Sequence, residues 1–123
     1  MYIDLLTKIK NAKRVGKKII KTRFSRQDKA IADILARYEF VGAVEVKGRL
    51  SKRFLFINLQ SKRPIEGYRF LSKPSVRRYA GYKDTYYVKG GHGLLVLSTS
   101  KGLLEGREAK REKAGGELLF EVW

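Results

Sequence analysis

The sequence predicts an α+β fold in two parts: an N-terminal α/β unit near residues 1–60, with two helices on a small sheet, packed against a β-rich part near 62–123 that carries one short helix. Three observations carry this expectation. Apolar residues recur at helical spacing twice within the first forty positions, whereas beyond Pro64 the tyrosines lie in short strand-like pieces punctuated by turn residues. Between the two regimes, Gln60-Ser61-Lys62-Arg63-Pro64 is polar, charged and closed by proline, the one good candidate for a boundary. Finally, Leu94, Leu95, Val96 and Leu97 form an unbroken apolar run that suits a central strand covered on both faces.

Taken in order, Tyr2, Leu5, Leu6 and Ile9 make the apolar stripe of a first helix that Gly16 ends, with Lys10, Lys13, Arg14 and Lys17 on another face. Residues 18–24 are short, partly β-branched and flanked by charge, and read as an edge strand. Ser25 followed by Asp28 resembles a helix cap with a weak capping box; Ile31, Ile34, Leu35 and Tyr38 then repeat at helical spacing, with Gly42 as the stop. Val44 and Val46 alternate with charge, and the turn at 48–51 leads into Arg53–Leu59, a hairpin. In the second half, short strands around Tyr68, Phe70, Tyr79, Tyr82, Tyr86 and Tyr87 are separated by Lys73-Pro74, Gly81, Lys83-Asp84 and Gly90-Gly91. Residues 105–114 read as a helix of about three turns, Gly115-Gly116 as its break, and Glu117–Trp123 as a terminal strand.

The charge balance narrows the function. The chain carries 28 Lys and Arg against 12 Asp and Glu, a net +16 over 123 residues of which 43% are hydrophobic. A chain this apolar can offset its ordering entropy by burial, so it is a folded globule and not a basic tail. Self-repulsion at this density is tolerable when a counter-charged partner is present, and nucleic acid leads the candidates. The surplus is broad: residues 1–60 hold 15 basic and 5 acidic side chains, 61–104 hold 9 and 2, and 105–123 hold 4 and 5. No run approaches the roughly 18 apolar residues that cross a bilayer, and the first eight residues lack the charge order of an export leader. A cytoplasmic protein without a membrane partner is therefore expected. With no Cys and one His there is no disulfide framework and no metal-ligand cluster, so no cofactor is expected either.

Ser98-Thr99-Ser100-Lys101-Gly102 stops the central strand with three hydroxyls, a cation and a glycine, a polar loop suited to base or sugar edges. Cations interleave with aromatics at Arg69-Phe70, Arg77-Arg78-Tyr79 and Tyr82-Lys83, where a ring can stack on a base while its neighbour holds phosphate. The competing role for each ring is core packing or cross-strand pairing. An enzyme is not expected: His92 and Ser98 stand about 20 Å apart along an extended strand, and neither serine sits in a nucleophile elbow. His92, with glycines on both sides, reads as a turn residue, and 99–102 lacks the frame of a phosphate-binding loop.

Residues 93–123 resemble the C-terminal signature of the universal small-ribosomal-subunit protein eight family, bacterial type: a glycine-led apolar strand, Ser-Thr-Ser-x-Gly, a short helix, Gly-Gly-Glu and a final apolar strand. Asp4–Asn11 resembles its opening helix, and Leu71–Tyr79 its Ser-Arg-Pro-Gly stretch, so the likeness covers almost the whole chain in the right order. The resemblance implies a non-catalytic ribosomal protein that grips an irregular helix in the central domain of 16S rRNA and helps that domain assemble. It places Ser98, Thr99 and Ser100 on RNA bases and backbone and Lys101 on nearby phosphate. Gly102, Lys73, Arg77, Tyr79 and Glu117 complete the RNA-binding set. The implied partners are small-subunit ribosomal RNA, neighbouring small-subunit ribosomal proteins and, since some relatives repress their own message, its mRNA. A free-standing double-stranded-RNA-binding accessory module is the alternative. Two departures bear on shape: Ser75 stands where the family usually has Gly, and Glu105-Gly106 replaces the usual Thr-Asp, from which a less well capped helix is expected.

Overall fold

The computed structural model describes residues 2–60, 65–72, 75–86, 88 and 92–123, and divides into two compact units, Met1–Pro64 and Ile65–Trp123. Of the positions named above, Lys73, Pro74, Tyr87, Gly90, Gly91 and 61–64 lie outside the described residues.

In the first unit, α1 (Tyr2–Arg14) buries Leu5, Leu6, Ile9 and Ala12, and α2 (Arg26–Arg37) buries Ile31, Ala32, Ile34 and Leu35. Strands β1 (Ile19–Arg23), β2 (Val44–Lys47) and β3 (Phe54–Asn58) form an antiparallel sheet in the order β1-β3-β2. Ile20, Leu55 and Ile57 are buried on one face, while α1 contacts β1 and α2 contacts β2. Each such side chain contributes about 1.5–3 kcal/mol by leaving water. Ser25 caps α2 as expected, its Oγ accepting the Asp28 N–H at 3.0 Å, although Asp28 Oδ1 is buried with no hydrogen-bond partner among the described residues. Lys13 is not a bare member of a basic stripe: its ammonium donates to the Phe40 carbonyl at 2.8 Å, and burial there lowers its pKa.

Each of the three α-helices among the described residues ends on a residue in the left-handed region, with paired backbone hydrogen bonds back into the last turn. For α1 that residue is Gly16, where the sequence places it. For α2 it is Glu39 (φ 68°), with Phe40 N–H bonded to Leu35 O and Glu39 N–H to Ala36 O, so the expected stop at Gly42 is three residues late. Gly42 instead donates to Asn58 O at 2.7 Å, at the entry to β2. The third is Lys113 (φ 54°), exposed after α3 (Gly106–Arg111). A Cβ there is sterically penalised, and the entropy cost of glycine recovers only part of that. Lys113→Gly should stabilise the protein by about 0.5–1 kcal/mol, read as a raised thermal midpoint; an unchanged or lower midpoint would contradict the strained stop.

In the second unit, β4 (Tyr68–Phe70), β6 (Leu94–Thr99), β7 (Gly102–Glu105) and β8 (Gly116–Val122) lie in the order β4-β8-β6-β7, and the two-residue β5 (Tyr79–Ala80) also pairs with β8. All pairings are antiparallel. As expected, β6 is interior and Leu94–Leu97 are all buried. Leu95 and Leu97 join Leu71, Val88 and Ala109 in one cluster, so α3 is held to the sheet by the smallest side chain on its inner face.

Four expectations for this unit need correction, the first being the strand piece at Tyr82, since Tyr82–Asp84 form a single 3-10 turn. The loop after β6 is a hairpin tip, because residues 102–105 pair back on β6 as β7. The following helix runs six residues instead of about three turns, because its left-handed stop comes at Lys113. It is also capped: Glu105, only 3% exposed, accepts the Arg107 N–H on Oε2 at 2.8 Å, the role expected of the missing Thr-Asp start.

Candidate nucleic-acid interface

The hairpin tip is shaped by two residues. Thr99 pairs with Gly102, leaving Ser100 and Lys101 as the turn, and Gly102 alone in it has a positive φ, 104°, as a turn closed by a glycine bulge requires. Thr99 Oγ1 donates to Gly102 O at 2.8 Å and accepts the Lys101 N–H at 3.1 Å. Its hydroxyl is therefore spent inside the turn. Ser98 and Ser100 differ: among the described residues neither hydroxyl has a protein partner, and Ser100 is exposed.

A register shift then sets what lies beside Ser98. Val96 pairs with Phe120 but Leu97 with Leu118, so Leu119 is skipped and its carbonyl accepts the Leu71 N–H at 3.0 Å. Without this bulge a leucine would face Ser98; with it, Glu117 does. Glu117 also pairs with Tyr79, giving one cross-strand row, Tyr79–Glu117–Ser98. Side chains in such a row share a face, with neighbouring strands about 4.8 Å apart. Gly116, next in line, admits no side chain, since a Cβ would stand 2.0 Å from Ser98 O.

The Glu117 side chain is 15% exposed and binds Arg77, whose Nη1 lies 3.4 Å from Oε1 and 3.3 Å from Oε2. The Arg78 backbone beside Arg77 is held by Ser72, buried at 2%: its Oγ accepts the Arg78 N–H at 2.9 Å and donates to Arg78 O at 3.4 Å. Sequence reasoning missed Ser72, for which only its small polar side chain next to an apolar strand end was a signal. Lys101 reaches α3's end, its Nζ lying 3.2 Å from Glu112 O and 3.5 Å from Glu112 Oε2 while remaining largely exposed.

Of the three aromatic-cation pairs, one presents its ring. Tyr79 is 71% exposed, whereas Phe70 packs on Tyr68 with centroids 5.2 Å apart and Tyr82 is half-buried under Lys83. Tyr86 is committed elsewhere: partial burial, then the Glu121 carboxylate that it hydrogen-bonds, push its pKa up to about 12. The structure thus brings together Ser98, Thr99, Ser100, Lys101, Gly102, Arg77, Tyr79 and Glu117 at one end of the second sheet. Lys73 lies outside the described residues.

No helix among the described residues is long and apolar enough to cross a membrane. Fold and site define a basic α+β protein with its hydroxyl, aromatic and cationic groups at one end of a sheet. The family model described as Ribosomal protein S8 matches residues 2–123, and the chain belongs to that family. It is similar to small ribosomal subunit protein uS8 of Borrelia hermsii (36% identical), Caldanaerobacter subterraneus subsp. tengcongensis (38%) and Streptococcus agalactiae (37%), each over 98% of this chain and 94% of the relative. Membership makes it a small-subunit ribosomal protein and not an enzyme.

Proposed function

We propose that the chain is a primary binder of small-subunit ribosomal RNA, gripping an irregular helix in the central domain of 16S rRNA and helping that domain assemble beside neighbouring small-subunit ribosomal proteins. The observation that carries this is the Tyr79–Glu117–Ser98 row, flanked by Arg77 and by the exposed Ser100-Lys101 tip. Ser98 and Ser100 offer donors and acceptors to base or 2′-hydroxyl edges that a distorted helix exposes. Tyr79 offers a ring for an unstacked base, and Arg77 and Lys101 hold phosphate. Glu117 orients Arg77 and accepts from base amino groups as a charged acceptor, which lysine cannot supply and serine supplies only as a neutral one. We assign this grip to residues 62–123, with the 1–60 part as its companion unit. A further RNA with the same irregular helix, such as the chain's own mRNA, would be held by the same groups.

If the site and not bulk charge does the binding, location of charge must matter. Charge reversal at Arg77 and Lys101 should cost about tenfold more RNA affinity than reversal at Arg26 and Arg37 on α2, since each cation at the hairpin end holds about one phosphate. The check is a filter-binding or anisotropy titration of both double variants at one salt concentration. Equal losses would demote the hairpin end to ordinary surface.

A further inference from the structure

The first unit carries a second feature that the hairpin end does not use. Its sheet is covered by helices on one face, where Ile20, Leu55 and Ile57 are buried, and open on the other. On the open face the central strand β3 presents Phe54 and Phe56, both only partly buried, two residues apart. The register sets Arg23 and Lys47 on either side of Phe54 and Lys21 beside Phe56. All three cations are exposed. Glu45, across from Phe56, is the one acid in these rows, and its carboxylate lies 3.5 Å from Lys47.

A half-buried phenylalanine pair on a sheet face is costly to leave partly in water, and a solvated structural face would carry polar residues there. The rings are instead already used as cation platforms: Lys21 Nζ stands 4.2 Å from the Phe54 centroid and 5.9 Å from that of Phe56, and Lys47 Nζ 5.0 Å from Phe56. Such exposed cation–π contacts are weaker than stacking of a nucleobase on an aromatic ring, so a base can take the ring and release the ammonium to phosphate. Rings at i and i+2 of a strand stand roughly 6–7 Å apart, a spacing over which two successive splayed bases can each take one. The run Lys52-Arg53-Phe54-Leu55-Phe56-Ile57 also follows the cation–x–aromatic–x–aromatic–aliphatic order by which sheet-face RNA-recognition modules are read, and it lies, as theirs does, on a central strand with helices behind. It departs from that pattern in having Arg53 and Leu55 where small residues usually stand and Leu59 in place of the closing aromatic.

We propose that this open face is a second RNA site, in which Phe54 and Phe56 stack two consecutive bases of an unpaired strand while Lys21, Arg23 and Lys47 hold its phosphates. It rests on the function proposed above only for the class of ligand, RNA, and shares no residue with the hairpin end. The surplus of cations over the single acid selects a polyanion over a protein surface poor in acidic groups.

The test uses the full chain and two RNAs: a fluorescein-labelled single strand of ten nucleotides, and the irregular helix bound by the hairpin end. Phe54→Ser with Phe56→Ser should weaken single-strand binding about tenfold or more with an unchanged salt slope, because no charge is altered. Its affinity for the irregular helix should stay within about twofold, and Phe54→Tyr with Phe56→Tyr should restore single-strand binding. Equal single-strand binding by the Ser variant and wild type overturns the proposal and leaves the face to a protein partner. A Tyr variant as weak as the Ser variant overturns it as well. Should the Ser variant fail to fold, wild type is crosslinked to a 4-thiouridine single strand: adducts within 53–58 support the site, and adducts confined to other peptides overturn it. Loss of irregular-helix binding in wild type alone would sink the hairpin reading and leave this one standing.

Discussion

Raising salt from about 50 to about 200 mM should cost the protein a thousandfold or more in affinity for its cognate RNA helix, if roughly six to ten phosphates are neutralised, with the relation for duplex DNA as a guide. Residues 1–104 hold 24 basic and 7 acidic side chains, so the positive surface is broad and phosphate contacts are expected to dominate. Some of these cations have partners within the protein, so fewer of them are expected to set the slope than composition offers. Lys13 is used on the Phe40 carbonyl and Lys29 on Asp33 at 2.5 Å, while Arg77 and Lys101 keep exposed faces despite their carboxylate partners. Exposed pairs of this kind contribute only about 0–1 kcal/mol, so phosphate can displace or share them. A nearly flat series between the two salt concentrations would contradict a phosphate grip.

The second large effect separates hydroxyl recognition from charge. Replacing Ser98 and Ser100 by Ala alters no charge and removes two groups worth about 0.5–1.5 kcal/mol each when hydrogen-bonded, more if the RNA partner is left buried and unsatisfied. Together that corresponds to a loss of about tenfold or more on the irregular helix. Because both hydroxyls lack protein partners among the described residues, the fold should not depend on them. Thr99 is the internal contrast, since its hydroxyl ties Gly102 O to the Lys101 N–H and belongs to the turn.

Most elements were legible because each had a period and a punctuation mark: two apolar helical stripes, a four-residue apolar run, Ser25 as a cap and Gly16 as a stop. What escaped was decided by single residues acting against their ordinary preference. Glu39 and Lys113 end helices in a backbone conformation that sequence reasoning reserves for glycine, so α2 and α3 stop earlier than Gly42 and Gly115 suggested. Glu105 caps α3 through a carboxylate rather than a small hydroxyl, and the β6–β7 hairpin hides because Leu103-Leu104 reads equally as helix start. The site was legible as a set of residue types but not as an arrangement. The adjacent leucines 118 and 119 gave no sign that β6 would skip one of them, and that one-residue bulge puts Glu117, instead of Leu118, beside Ser98.

The most direct measurement is a side-by-side titration of wild type and the Ser98→Ala/Ser100→Ala variant against the irregular helix and a regular duplex, with a thermal melt of each protein. A hairpin end that reads RNA through its hydroxyls gives a loss of about tenfold or more on the irregular helix, little change on the regular duplex, parallel salt slopes and coincident melts. Equal binding by the two proteins, or a loss accompanied by a collapsed melting temperature, would contradict it and remove the tip from the recognition surface.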